Sequence, residues 1–315
     1  MKIYRVDAAP VSIFRDYPSS YTIFGGICWA YRLLYGEDKL NQLLNQYLSE
    51  NPPFLVSSLL PKTNGNYLFP RPHLKPLRVE DNSLDHKKLK KINYIPLDVL
   101  IKVLEGKIKN EYELHRELDK KSVGKSDLYE RNIIPHASID RVTGSTEGSG
   151  ELFFEEITAV KEFYLLIAIE DEKLEEIKSA LSLIQDIGLG GNRSVGYGRV
   201  IFGEFKEFLE IKKYFNNQTD RFISLSPFIP EPATYNLSDS FYEIFTFQGA
   251  VDNNYSFKKV DIWKDKVLYL KEGSVLKVKT PKRFYGQFYK AKEINEIPIY
   301  QYGLAFPLFI QEENR

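Results

Sequence analysis

The chain has 315 residues, 43% of them hydrophobic and 27% charged, so it can bury a sizeable core and is not globally disordered. Lys and Arg number 43 and Asp and Glu 43. That balance excludes coating nucleic acid through bulk positive charge but leaves room for a local basic groove.

A single cysteine, Cys28, excludes a disulfide framework and a cysteine zinc site within one chain. His73, His86, His115 and His136 are scattered without metal-ligand spacing, so no metal and no cofactor is expected. The first ten residues lack a signal-peptide core, and no run approaches ~20 apolar residues, so a cytoplasmic protein is expected.

In chain order, residues 2–6 alternate as a first strand. From Tyr21 the pattern turns helical, with Ile23, Ile27, Ala30 and Leu34 on one stripe and Gly36 as its stop. Residues 40–48 read as a second short helix, ended by Asn51-Pro52-Pro53. Residues 61–78 read as extended. Residues 71–131 hold 15 Lys or Arg and 11 Asp or Glu. Their weak periodicity predicts an insertion outside the main core.

Residues 133–141 and 152–158 predict a hairpin around Gly144, Gly148 and Gly150. Residues 163–169 form a continuous apolar run, a buried strand. Asp171 is expected to cap the next helix, with Leu174, Ile177, Leu181 and Ile184 as its stripe. Residues 200–205 read as a strand. Strand, helix, hairpin, strand, helix, strand is the split βαβ, ferredoxin-like plan. Residues 214–218 suggest a linker. Beyond them short strands at 241–247, 267–270, 275–278 and 300–310 predict a second, β-rich α+β domain. The fold class is therefore α+β in two domains. Residues 1–213 carry an insertion at about 61–131, and residues 214–315 follow.

The most informative segment is residues 187–200, IGLGGNRSVGYGRV. Gly188, Gly190, Gly191, Gly196 and Gly198 surround Asn192, Arg193, Ser194, Tyr197 and Arg199. Glycines let a backbone approach a ligand closely, and successive N–H groups cradle phosphate. Arg193 adds a fork suited to phosphate oxygens, and Tyr197 a face for a base. There is no Walker motif, and Arg193 stands where a dinucleotide fingerprint needs its third glycine. A turn that merely connects a helix to a strand is the ordinary alternative, and Arg199 is as easily a surface residue.

At this loop the chain resembles the RAMP superfamily, the repeat-associated RNA-binding subunits of CRISPR systems. Three further segments carry the resemblance: Phe24-Gly25-Gly26-Ile27-Cys28-Trp29-Ala30-Tyr31, Pro52-Pro53-Phe54-Leu55-Val56-Ser57-Ser58 and His136-Ala137-Ser138-Ile139-Asp140-Arg141-Val142-Thr143-Gly144. Glu272-Gly273-Ser274 and Tyr302-Gly303 extend it to the chain end. Ahead of the first helix, Pro18-Ser19-Ser20-Tyr21-Thr22 lacks the acid often found there in the family.

The resemblance implies two ferredoxin-like (RRM-like) domains. Within the superfamily it points to the subunits that cap the guide RNA in the type III-A effector, the Csm complex. Such a subunit is non-catalytic. It holds the 5′ repeat-derived tag of the crRNA and bridges the large polymerase-type subunit to the backbone RAMP subunits. It meets target RNA only indirectly, because base pairing by the guide reads the sequence.

His136 and Arg141 are candidate RNA or partner contacts. With Asp140 they also have the residue types for acid–base chemistry on a ribose, though pairing that fixes a loop is more ordinary. Phe14 and Arg15, between the first strand and helix, interleave aromatic and basic character as a single-strand stack does, or else pack as a loop. The rival reading is a RAMP-type endoribonuclease that processes repeat RNA.

Overall fold

The computed structural model describes residues 1–77, 84–123, 129–140, 142–146, 152–251 and 261–311. Helices and strands are mixed throughout the N-terminal two thirds. In order these are β1 (Lys2–Pro10), α1 (Ser20–Tyr35), α2 (Glu37–Leu48), β2 (Phe54–Val56), β3 (Leu60–Thr63) and β4 (Asn66–Pro70). Next come α3 (His86–Leu89), β5 (Tyr94–Pro96), α4 (Leu97–Leu104), α5 (Glu111–Lys120), β6 (Tyr129–Ala137) and β7 (Leu152–Val160). Then follow β8 (Phe163–Ile169), α6 (Leu174–Ile187), β9 (Val200–Glu207) and α7 (Lys212–Asn216).

One antiparallel sheet runs β5-β4-β3-β8-β1-β9, with β2 beside β3 on the same edge of β8. β1 lies at the centre, paired with β8 from Lys2↔Ile169 to Ala8↔Phe163 and with β9 on its other edge. All seven residues of β8 are buried, as an apolar run between two neighbours requires. Helices α1 and α6 pack together through their stripes, Ile23, Phe24, Ile27, Ala30 and Tyr31 on one, Ile177, Ala180, Leu181 and Ile184 on the other. Gly36, at φ +86°, ends α1 as expected.

Three expectations change here. Asp171 does not cap α6: it lies in a 3₁₀ turn with its carboxylate 3.0 Å from Lys2 Nζ. The segment expected as an insertion outside the core belongs to it. β3, β4 and β5 widen the sheet, and Val99, Leu100, Val103, Leu104, Leu114 and Leu118 join the same buried cluster as β8. Its helices are too short to give a long periodic signal, so burial was hidden among the charges. The expected linker is anchored too, since Tyr214 is buried and its hydroxyl donates to Glu105 at 3.0 Å.

The C-terminal third holds β10 (Arg221–Ser224), β11 (Ile244–Phe247), β12 (Val267–Leu270), β13 (Val275–Lys277), β14 (Gly286–Ile294), β15 (Ile297–Leu304) and β16 (Pro307–Phe309). They form a three-stranded sheet, β13-β10-β16, and two hairpins, β11-β12 and β14-β15. No α-helix occurs among the described residues from 217 to 311. A second unit with the two helices of a ferredoxin-like plan is therefore not what these residues form. Apolar side chains there alternate along strands, as in β11, instead of recurring at helical spacing.

The two parts share one core. Tyr302 stacks on Phe24 with ring centroids 4.5 Å apart, and its hydroxyl accepts the Val56 N–H at 3.3 Å. Its neighbour Gly303 must be glycine, because a Cβ there would collide with Ile229. Ser57 and Ser58 serve the N-terminal part. Ser57 Oγ accepts the Leu166 N–H at 3.0 Å, and Ser58 Oγ accepts the Ser20 N–H at 3.2 Å. Ser58 thus meets an orphan donor of the α1 N-terminus, where Ser19 makes no side-chain cap. Among the described residues no helix is long and apolar enough to cross a membrane.

Candidate nucleic-acid interface

The glycine-rich loop joins α6 to β9, and its backbone explains its composition. Gly188, Gly190, Gly196 and Gly198 have φ of +81°, +85°, +90° and +72°, and Asn192 also takes a left-handed conformation at φ +59°. L-residues with a Cβ rarely adopt such angles. Gly198 is the tightest position: its N–H donates to Ile13 O at 2.8 Å, its carbonyl accepts the Leu189 N–H at 2.8 Å, and a Cβ would collide with Leu189 O. On the facing helix a Cβ on Gly26 would sit 2.7 Å from Leu189 Cδ1. Leu189 is therefore a buried peg held between α1 and the loop's own return.

Above this peg the loop is open. Gly191 is exposed, and among the described residues the N–H groups of Gly190 and Gly191 donate to no protein acceptor. Two consecutive unused N–H groups at a positive-φ turn make a concavity for an anion. Arg15 lies across it, with Cδ 3.2 Å and Nη1 3.9 Å from where a Gly191 Cβ would stand. Arg193 begins a 3₁₀ turn, and its stem packs against Gly188. Arg199 and Ser194 are exposed. The Arg199 carbonyl accepts Val11 N–H at 2.9 Å and its N–H donates to Ser12 Oγ at 2.9 Å, so the backbone is fixed while the side chain faces solvent.

The β6–β7 hairpin stands against the same loop. Glu155 on β7 accepts the side-chain amide of Asn192 and the hydroxyl of Tyr197, the latter at 3.2 Å. His136 Nε2 lies 3.3 Å from the same carboxylate, and its ring stacks on Phe153 with centroids 5.1 Å apart. Burial and the Glu155 carboxylate push the Tyr197 phenol above its ordinary range, so it stays a neutral donor. Phe14 and Thr158 exchange two backbone hydrogen bonds, of 2.9 and 2.7 Å, which clamp the hairpin base to the loop after β1.

Most of the sequence-derived residues thus converge: Arg15, Gly188 to Ser194, Tyr197 and His136 occupy one surface. Phe14 does not belong to it. Its side chain is 1% exposed and packs edge-on against Phe163, so it has no face for a base. The alternation of the short stretch after β1 concealed that burial. Arg141 lies outside the described residues. Asp140 receives the N–H groups of Val142 and Thr143 at 2.7 and 3.1 Å, a loop-fixing role with no contact to His136.

Sequence reasoning missed Glu155, the acid that gathers Asn192, Tyr197 and His136. The signal was the strand period: Phe153 and Glu155 share a face of β7, and Phe153 pairs with His136 across the hairpin.

Residues 19–201 match the RAMP superfamily, and residues 217–310 match the CRISPR Csm4 C-terminal domain. The chain is 24% identical over 303 residues to the CRISPR system Cms protein Csm4 of Methanocaldococcus jannaschii, covering 82% of this chain and 78% of that one. It is 26% identical over 219 residues to the protein of the same name from Thermococcus onnurineus, covering 65% and 70%. A chain in the crystal structure of a Csm1–Csm4 cassette with cA4 superposes with a TM-score of 0.59 at 19% identity, covering all of both chains. A chain of a Csm3–Csm4 subcomplex from the type III-A interference complex does so with a TM-score of 0.59 over 97% and 98%. At this identity the superpositions speak for the fold.

Proposed function

The chain belongs to the RAMP superfamily, with a C-terminal part of Csm4 type, and from that premise we propose that it is the non-catalytic type III-A subunit that holds the 5′ repeat-derived tag of the crRNA. It bridges the large polymerase-type subunit to the backbone RAMP subunits of the Csm complex, in antiviral defence. The partners named in the superposed structures, Csm1 and Csm3, support this placement. In this reading the order β2/β3-β8-β1-β9, with α1 and α6 packed together, is the ferredoxin-like core of residues 1–213, and residues 214–315 form the second half.

One observation carries the RNA assignment. The unused N–H groups of Gly190 and Gly191 lie under the Arg15 guanidinium, on a loop whose other groups are already satisfied. A phosphate completes both the two N–H donors and the arginine fork. The hairpin fastened to that loop by Glu155 presents Ile133, Leu152 and Phe154 at 66–68% exposure, an apolar flank for splayed bases. Such a site reads backbone shape and a few bases, which is what a constant tag demands.

The test is purification of the affinity-tagged chain from its host, with sequencing of the bound RNA. Guide RNAs sharing one repeat-derived 5′ end, recovered with a large polymerase-type subunit, are the expected result. RNA fragments ending at a repeat cleavage site, with cleavage activity in the eluate, would support the processing endoribonuclease instead.

A further inference from the structure

Glu272 sits in the turn between β12 and β13. The turn is rigid: Gly273 N–H donates to Ser224 O at 2.8 Å, Gly273 O accepts the His73 N–H at 2.8 Å, and Ser274 Oγ donates to Lys271 O at 2.6 Å. Gly273, at φ +85°, has no room for a Cβ, which would strike Arg71 O. Glu272 is thereby presented toward a group of half-buried tyrosines. Tyr17, Tyr21 and Tyr94 all lie within its field, and Tyr17 packs on Tyr129 at 5.3 Å between centroids. Tyr21 stacks on Phe247 at 4.2 Å and lies 5.3 Å from Tyr269.

What sets Glu272 apart is what it lacks. Glu155, Glu105, Glu111 and Glu176 each receive a cation or a hydroxyl. Among the described residues Glu272 forms no ion pair and receives no side-chain donor; its own N–H is its hydrogen-bond partner. The adjacent Lys271 is turned away to Glu243, at 3.2 Å. Burial pushes the Glu272 carboxyl above its ordinary range. A half-buried acid without a donor costs stability, and such departures concentrate where a ligand supplies the missing partner.

The surface is continuous with the glycine loop. Tyr17 and Tyr21 flank the start of α1, two and six residues beyond Arg15, and Gly190 lies against Thr22 at 3.7 Å. Tyr129 is the first residue of the hairpin strand β6.

We propose that Glu272 reads one unpaired base of the bound RNA through that base's exocyclic amino group, with Tyr17, Tyr21, Tyr94 and Tyr129 forming the aromatic surround. This rests on the tag-holding reading above and adds a specificity residue to it. Carboxylates accept from amino groups on base edges, and aromatic rings take base faces of any identity. Adenine, cytosine and guanine carry an exocyclic amino group; uracil does not. Sequence preference at this position therefore runs against uridine.

The experiment uses the assembled complex and a set of tag RNAs, each with one position replaced by uridine. The wild-type protein is expected to lose on the order of tenfold in affinity at one amino-bearing position. Glu272→Gln, whose amide both donates and accepts, abolishes that penalty and leaves the other positions as they were. Its thermal midpoint stays at or above the wild-type value, because a desolvated charge has been removed. An unchanged penalty profile in Glu272→Gln overturns the inference while leaving the tag-holding reading intact. Failure of the wild-type complex to retain tag RNA sinks that reading first. An unchanged profile with weakened capture of the large subunit places Glu272 at a protein contact and overturns the inference as well.

Discussion

Glu155, on the second strand of the exposed hairpin, accepts the side-chain amide of Asn192, in the glycine-rich loop 37 residues away. The hairpin and the loop are thus one assembly. Glu155→Ala removes the acceptor for Asn192 and Tyr197 together and leaves their donors to water. Hydrogen exchange across residues 189–197 is expected to accelerate severalfold. Glu155→Gln keeps an acceptor oxygen and should protect the segment better than alanine does. Equal exchange in wild type and Glu155→Ala would show that the loop holds itself.

The loop's glycines divide into two kinds, and stability measurements separate them. Gly198→Ala adds both positive-φ strain and a collision with Leu189 O. It is expected to cost more than about 3 kcal/mol, or to prevent folding. Gly196, at φ +90°, has open space where a Cβ would go, so Gly196→Ala should cost about 1 kcal/mol of strain alone. Denaturant midpoints of the two variants check the order.

Arg15 and Arg193 are predicted to act through phosphate. Arg15→Glu should weaken tag-RNA binding uniformly across base sequences and lower the salt dependence by about 0.7 per lost phosphate contact on single-stranded RNA. Arg193→Glu should weaken guide-RNA retention while the fold survives, since the residue begins an exposed 3₁₀ turn outside the core. Filter binding at several salt concentrations, with circular dichroism for the fold, measures both effects.

The buried cluster around α5 gives a pH prediction. His115 is 2% exposed; its Nδ1 lies 2.8 Å from His86 Nδ1 and its Nε2 2.9 Å from Arg71. Burial first, then the Arg71 charge, lowers its pKa to about 4. The folded state therefore binds its proton less readily than the unfolded state, whose value is near 6.5. Stability from this group is present above about pH 6.5 and is lost as pH falls from there toward 4. His115→Gln should flatten the thermal-midpoint profile in that window. An unchanged slope would assign the acid sensitivity to other groups.

Much of this was legible because it depends on local period. Ile23, Ile27 and Ala30 announced α1, and the unbroken run 163–169 announced the central buried strand. Five glycines with two arginines marked the loop before any geometry was known. What stayed hidden depends on partners distant in sequence. Phe14 is buried because Thr158 and Phe163 come to meet it. Glu155 matters through the register of a hairpin, and the helices of residues 97–120 reach the core through tertiary contacts that short, charged segments do not advertise. The C-terminal part followed its alternating strands, where family expectation supplied helices.

The most direct test of the central claim is crosslinking of the assembled complex, with photoreactive nucleotides placed through the 5′ tag and crosslinked peptides identified by mass spectrometry. The account predicts crosslinks from the tag to peptides containing residues 188–199 and to the segment around Arg15. Tag crosslinks confined to other subunits, with these peptides clear, would contradict it.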